Sequence, residues 1–151
     1  MKVKELMSVD VKTCREDADL ATATKIMWDA DCGIVPVVND DRRVIGVVTD
    51  RDICVAAATR SMNPAAIRVR DVMSRTVATC AETDDARVAL GTIKNRRVRR
   101  LPVVDKQQRL VGVISLADLV GRVESRRDAE IPSEEFLDAM KAICAHRVTV
   151  G

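Results

Sequence analysis

Aromatic side chains are nearly missing from this sequence: of 151 residues one is Trp, one is Phe and none is Tyr. Trp28 and Phe136 cannot build the ring platforms on which single-stranded RNA or DNA is usually stacked. A flat ligand would have to be gripped by aliphatic side chains and backbone. Histidine is reduced to His146, which leaves little for the commonest kind of general acid–base catalysis. No apolar run approaches the ~18–20 residues needed to cross a bilayer, and no secretory leader is expected ahead of the first structured segment. Charge of one sign is missing too. Lys and Arg total 25 against 23 Asp and Glu, a net +2, so there is no broad basic field for nucleic acid or a membrane surface. A cytoplasmic protein with neither kind of partner is expected.

What is present is a globular balance, 47% hydrophobic and 32% charged, which excludes disordered, collagenous and low-complexity classes. The length fits one compact domain or two small units sharing a core. Cys14, Cys32, Cys54, Cys80 and Cys144 form an odd set without a CxxC pair. Reduced thiols packed as small hydrophobes are the expectation, because the close spacing of a zinc site with His146 is absent.

The chain repeats itself. Val3-Lys4-Glu5-Leu6-Met7-Ser8 returns as Val69-Arg70-Asp71-Val72-Met73-Ser74, an offset of 66 between position 3 and position 69. The same offset carries Thr13-Cys14 onto Thr79-Cys80, Pro36-Val37-Val38 onto Pro102-Val103-Val104, Gly46-Val47 onto Gly112-Val113, and Asp52 onto Asp118. Ungapped register over some fifty residues does not arise by chance.

Each repeat reads β-α-β-β-α. Leu20, Ala23, Thr24 and Met27 line one helical face, and Ala86, Ala89, Leu90 and Ile93 repeat it. Asp17 or Asp19, and Asp84 or Asp85, are candidate N-caps. Gly33 is placed to end the first helix in a left-handed conformation, with Arg99 at its counterpart. Strands are expected at Ile34–Val38 with Val44–Val48, and at Leu101–Val104 with Leu110–Ile114, each pair joined by a polar turn into a hairpin. A second helix follows in each repeat, Arg51–Ala58 and Leu116–Arg122. Units of about 60 residues are marginal alone. The expected fold is therefore α+β: two tandem repeats, residues 1–60 and 69–123, packed with pseudo-two-fold symmetry across a linker at 61–68. Residues 124–151 add a charged segment, then an amphipathic helix from Pro132 carrying Phe136, Leu137, Met140, Ile143 and Cys144. Its apolar spacing fits a core or an interface equally well.

The polar motif is a strand–turn–helix corner, Gly46-Val47-Val48-Thr49-Asp50-Arg51-Asp52 and Gly112-Val113-Ile114-Ser115-Leu116-Ala117-Asp118. Thr or Ser followed three residues later by Asp caps a helix. A fixed carboxylate can also accept both hydroxyls of a ribose, each charge-assisted bond worth roughly 1.5–3 kcal/mol before desolvation. The two roles are compatible. The run Asn95-Arg96-Arg97-Val98-Arg99-Arg100 reads as a phosphate-binding corner, a solvated helix end or a nucleic-acid patch. The lack of interleaved aromatics argues against the last.

With these motifs the sequence resembles a tandem cystathionine-β-synthase (CBS) domain pair, the Bateman module, from Val3 to about Val123. The resemblance implies a sensor rather than an enzyme, needing no catalytic cofactor. Its regulatory ligand would be an adenosine derivative (AMP, ADP, ATP, S-adenosylmethionine or an NAD-type dinucleotide) held in clefts between the repeats. It implies a homodimer and a protein effector. In one implied site Asp118 holds the ribose with Ser115 nearby, Thr13, Cys32, Gly33, Ile34 and Val113 line the base, and Arg99 and Arg100 meet the phosphate. In the other, Asp52 and Thr49 take the ribose roles, Thr79, Val98 to Arg100 and Val47 surround the base, and Arg51 offers a cation. Gly33 and Ile34 stand where the other repeat has Arg99 and Arg100, and Asp84 stands where the first has Ala18, so the Asp52 site is expected to be weaker or differently selective. The alternative is an interaction protein with empty clefts, acting through dimerisation.

Overall fold

The computed structural model describes residues 1–126 and 128–145. In the first repeat, helix α1 (Leu20–Asp29) starts at Asp19, whose carboxylate accepts the Thr22 N–H at 2.7 Å. That hydrogen bond holds the Asp19 carboxyl below the usual carboxylate range. Leu20, Ala23 and Met27 are its buried stripe, and Thr24 faces solvent while its hydroxyl donates to the Leu20 carbonyl. Strands β1 (Ile34–Val38) and β2 (Val44–Thr49) form an antiparallel hairpin with Ile34 opposite Thr49. Cys14 adds a parallel bridge to Val37, so its short extended segment is a third strand in outline. Helix α2 (Asp50–Arg60) follows directly.

The second repeat builds the same sequence of elements. Strand β3 (Cys80–Ala81) lies parallel to β4 (Arg100–Val104), which lies between β3 and β5 (Leu110–Ser115); α3 (Ala86–Arg96) and α4 (Leu116–Val120) complete it. After α4 the chain runs through β6 (Val123–Glu124), which pairs in parallel with β7 (Ile131–Pro132), into helix α5 (Ser133–Cys144). Helix α5 packs on α3. Its Ala139 is fully buried, and Phe136 and Ile143 lie against the core that holds Ile93, Leu101 and Ile114. This resolves the choice left open by its apolar spacing: much of that face is core, although Leu137 and Cys144 remain exposed.

The compact units interleave the repeats. One unit consists of residues 1–9, 78–105 and 111 onward; the other consists of 10–77 and 106–110. The opening Met-Ser of each repeat therefore lies in the unit built on the other. Ser8 exchanges two backbone hydrogen bonds with Val113, at 2.9 and 3.0 Å, and Ser74 does the same with Val47. The methionines before them sit against glycine. A Cβ on Gly112 would fall 2.5 Å from the Met7 sulfur, and one on Gly46 would fall 2.8 Å from that of Met73 and 2.9 Å from the Ser74 carbonyl. Val3 and Val69, both fully buried, anchor the two opening segments.

Three local expectations are corrected. Gly33 does not end α1: the left-handed residue is Asp31, φ 49°, and its counterpart in the second repeat is Arg97, φ 53°. Glycine at 33 instead leaves room for the Asp50 carboxylate, which a Cβ would meet at 2.9 Å. The last helix of the second repeat stops at Val120, because the chain must turn into β6. Neither candidate cap of α3 acts as one: Asp85 occupies the N-cap position but its carboxylate pairs with Lys2, at 3.0 Å, and Asp84 accepts the Ala81 N–H at 2.9 Å.

Replacing Gly46 by Ala is expected to lower stability by about 1–3 kcal/mol in urea unfolding, since backbone as well as a side chain must give way. Gly91, on α3 with nothing within 4 Å of an added Cβ, behaves oppositely. Gly91→Ala is expected to raise stability by about 0.5–1 kcal/mol.

Candidate ligand site

Both corners are reciprocal capping boxes. Thr49 Oγ1 accepts the Asp52 N–H at 3.1 Å, and Asp52 Oδ2 accepts the Thr49 N–H at 3.0 Å. At the second corner Asp118 Oδ2 accepts the Ser115 N–H at 2.7 Å and the Ser115 hydroxyl at 2.7 Å, while Ser115 Oγ accepts the Asp118 N–H at 3.4 Å. The capping role is thus realised in both repeats. It also fixes each half-buried carboxylate in one rotamer, and an ionised carboxylate offers about four lone-pair directions, more than the cap uses. A ribose diol is a fitting complement for the rest.

Each corner is tied to the chain entering its own hairpin. The Asp50 N–H donates to the Gly33 carbonyl at 3.0 Å, and the Leu116 N–H donates to the Arg99 carbonyl at 3.1 Å, the equivalent bond at the same offset. One unit gathers Thr13, Cys32, Gly33, Ile34, Val47, Thr49, Arg51 and Asp52; the other gathers Thr79, Val98, Arg99, Arg100, Val113, Ser115 and Asp118. The structure thus brings Arg99 and Arg100 to the Ser115–Asp118 corner. It brings Gly33 and Ile34 to the Thr49–Asp52 corner. Val47 and Val113 have their backbone groups occupied by Ser74 and Ser8, so only their side chains can face a ligand.

Sequence reasoning missed Asp50. Its carboxylate lies over Gly33, where the backbone lacks a side chain, and accepts the Arg51 N–H at 2.8 Å. The signal was available, since its counterpart at the offset of 66 is Leu116. The two corners consequently differ in sign: Asp50, Arg51 and Asp52 on one, Arg99, Arg100 and Asp118 on the other.

The five cysteines are free thiols. Burial pushes the Cys14 thiol up from about 9 to about 11. Burial and the Asp84 charge push Cys80 up to about 12. Among the described residues no group of three or more His, Cys, Asp or Glu could hold a metal ion. His146 lies outside the described residues.

The family model described as "CBS domain" matches twice, at residues 3–59 and 69–125. The chain belongs to the CBS domain family. Among curated relatives, it is 29% identical over 118 residues to homoserine O-acetyltransferase of Methanosphaera stadtmanae and 31% over 121 residues to inosine-5'-monophosphate dehydrogenase of Methanocaldococcus jannaschii. It covers 23% of the length of each. Hypoxic response protein 1 of Mycobacterium tuberculosis is 25% identical over 142 residues, with 94% of this chain and 93% of the relative covered. The crystal structure of that protein, with two coordinated zinc ions, superposes with a TM-score of 0.74 over 82% of this chain and all of the other. The CBS domain pair of protein MJ0100, in complex with 5'-methylthioadenosine and S-adenosylmethionine, has a TM-score of 0.71 at 23% identity and covers 80% and 94% of the two chains. A CBS domain protein from Pyrobaculum aerophilum complexed with AMP has a TM-score of 0.70 at 23% identity, covering 78% and 89%. CBS pairs with bound adenosine derivatives therefore share this fold.

The thiols give a direct check of the CBS core. With Ellman's reagent at pH 8, exposed Cys54 and Cys144 are expected to react within the mixing time, and Cys14 and Cys80 only on unfolding. The sign of the pH dependence follows. The folded chain keeps protons on Cys14 and Cys80 that the unfolded chain releases, so stability falls as pH rises from about 9 toward about 11 and 12. Rapid labelling of all five thiols in the folded protein would contradict this core.

Proposed function

We propose that this CBS pair is a regulatory module that binds an adenosine-containing ligand at its strand–helix corners and carries no catalysis of its own. The observation that carries the reading is the duplicated corner. In both repeats a half-buried aspartate is locked by a Thr or Ser beside a backbone segment that leads into the hairpin. Relatives of the same fold with AMP, 5'-methylthioadenosine and S-adenosylmethionine bound support it. Asp118 takes the ribose hydroxyls with Ser115 beside it, and Arg99 and Arg100, both exposed, take the phosphate. Asp52 and Thr49 take the ribose in the other corner, with Arg51 as its cation. The base-lining roles of Thr13, Cys32, Gly33, Ile34, Thr79 and Val98 belong to the same proposal, with the Val47 and Val113 side chains completing the aliphatic grip. The output passes through a protein effector or the assembly state, in a cytoplasmic homodimer.

A second reading, an assembly protein with no ligand, is favoured by Trp28, which is 85% exposed on α1, and by Val55, half exposed on α2. The readings separate on ligand response. Melting curves across AMP, ADP, ATP, S-adenosylmethionine and NAD are expected to show a saturable rise, about 2.7 kcal/mol at 100 times Kd. Asp118→Ala is expected to abolish the response to the preferred nucleotide. Arg99→Ala is expected to weaken AMP and ATP more than adenosine. A panel with no response, alongside an unchanged oligomeric state, would favour the assembly reading instead.

A further inference from the structure

The two corners are built around one backbone joint, and its side chains carry opposite charge in the two repeats. In the first, the Asp50 N–H donates to the Gly33 carbonyl; in the second, the Leu116 N–H donates to the Arg99 carbonyl. Gly33 and Asp50 thus stand where the other repeat has Arg99 and Leu116, at the offset of 66. Both members of the contact are exchanged together, and the exchange is coupled sterically. A Cβ on residue 33 would lie 2.9 Å from Asp50 Oδ2 and 3.3 Å from its Cγ, so a side chain there and Asp50 in this pose exclude each other.

The capping aspartates, Asp52 and Asp118, are common to both corners and do not distinguish them. The remaining charges do. Arg51 brings one cation to the first corner, but Asp50 offsets it, and its carboxylate accepts the Arg51 N–H at 2.8 Å. The second corner has Leu116 and Ala117 at those positions and adds Arg99 and Arg100. The first corner is left negative by one charge and the second positive by one. Asp50 is exposed and lies two residues from Asp52 on the first turn of α2. Charges so placed act within the ~10 Å screening length of 0.1 M salt. On an adenosine derivative the charge that varies is at the 5' end: phosphates are anionic, a thioether is neutral and a sulfonium is cationic.

We infer that Asp50 is the specificity-determining residue of the Thr49–Asp52 corner, which takes adenosine derivatives with a neutral or cationic 5' group and rejects 5'-phosphates. The inference rests on the reading of the corners as ribose sites. It divides the two corners of one chain between ligands of opposite 5' charge, selected by repulsion as much as by attraction.

Titration calorimetry on the full chain carrying Asp118→Ala reads the Asp52 corner alone. There 5'-methylthioadenosine and S-adenosylmethionine are expected to bind about tenfold or more tightly than AMP, and added sodium chloride is expected to narrow the margin between S-adenosylmethionine and AMP. Asp50→Asn keeps the shape and an oxygen for the Arg51 N–H while removing the charge. In that background it is expected to strengthen AMP and weaken S-adenosylmethionine by about three- to tenfold each, and to leave neutral 5'-methylthioadenosine unchanged. AMP binding as tightly as 5'-methylthioadenosine, or Asp50→Asn moving all three ligands alike, overturns the inference and leaves the ribose reading standing. So does binding by the unsubstituted chain that disappears entirely in Asp118→Ala, which would leave the Asp52 corner without a ligand. Binding of none of the three to the unsubstituted chain overturns the ribose reading itself, and the inference with it.

Discussion

The paired backbone bonds between Ser8 and Val113, and between Ser74 and Val47, are the constraint from which the architecture follows. They recruit the opening segment of each repeat into the unit built on the other. Val3 is buried with Ile93 and Leu101, and Val69 with Leu20 and Val35. A repeat of about 60 residues has too little interior to be secure alone, and here each unit is completed by the opening segment of the other repeat. The glycines make this pairing close enough to hold: at 46 and 112 any side chain would meet the methionine and the serine carbonyl of the added segment.

The offset of 66 made the strands legible because a hairpin needs apolar alternation and a polar turn, and both repeats supply them. The four hairpin strands fall where the pattern places them, within a residue at each end, whereas the short β6 and β7 carry no such pattern. The interleaving was not legible, since a repeat in sequence says nothing about which unit its opening segment joins. Nor were the left-handed positions. Asp31 and Arg97, then Arg42 and Gln108, adopt positive φ as pairs at the same offset, although glycine stands at none of them. Glycine at 33 invited the helix-ending reading, yet its purpose is steric room for Asp50. The backbone thus keeps the duplication at positions where the side chains have lost it.

The candidate site shows the same division. Thr49–Asp52 and Ser115–Asp118 were readable because capping chemistry needs those residue types at that spacing, and the structure forms both boxes. The electrical character of each corner was only half readable. The arginine pair stood out as a run, whereas Asp50 matters through its position over Gly33, which is a fact of packing. With Asp50 included, the corners carry opposite charge, and a single ligand cannot suit both equally. The surplus of two positive charges over the whole chain conceals this local contrast.

The cap draws more heavily on the carboxylate in the second repeat, where Asp118 Oδ2 accepts two hydrogen bonds and Asp52 Oδ2 accepts one. Helix α2 has eleven residues and survives a weakened cap, but α4 has five, too few to be stable without outside support. Its order rests on Ser115 and Asp118 at one end and on buried Leu119, packed in the core that includes Ile131 and Ala139, at the other. A ligand accepted on the free directions of the Asp118 carboxylate leaves the cap intact and lowers the freedom of α4. One that draws Oδ2 away from the Ser115 N–H loosens it. Two residues after α4 the chain enters β6, which pairs with β7 at the root of α5, so the capped corner and the C-terminal helix are built from successive elements of one unit. The capping box is therefore the scaffold of the corner and of the short helix that follows it.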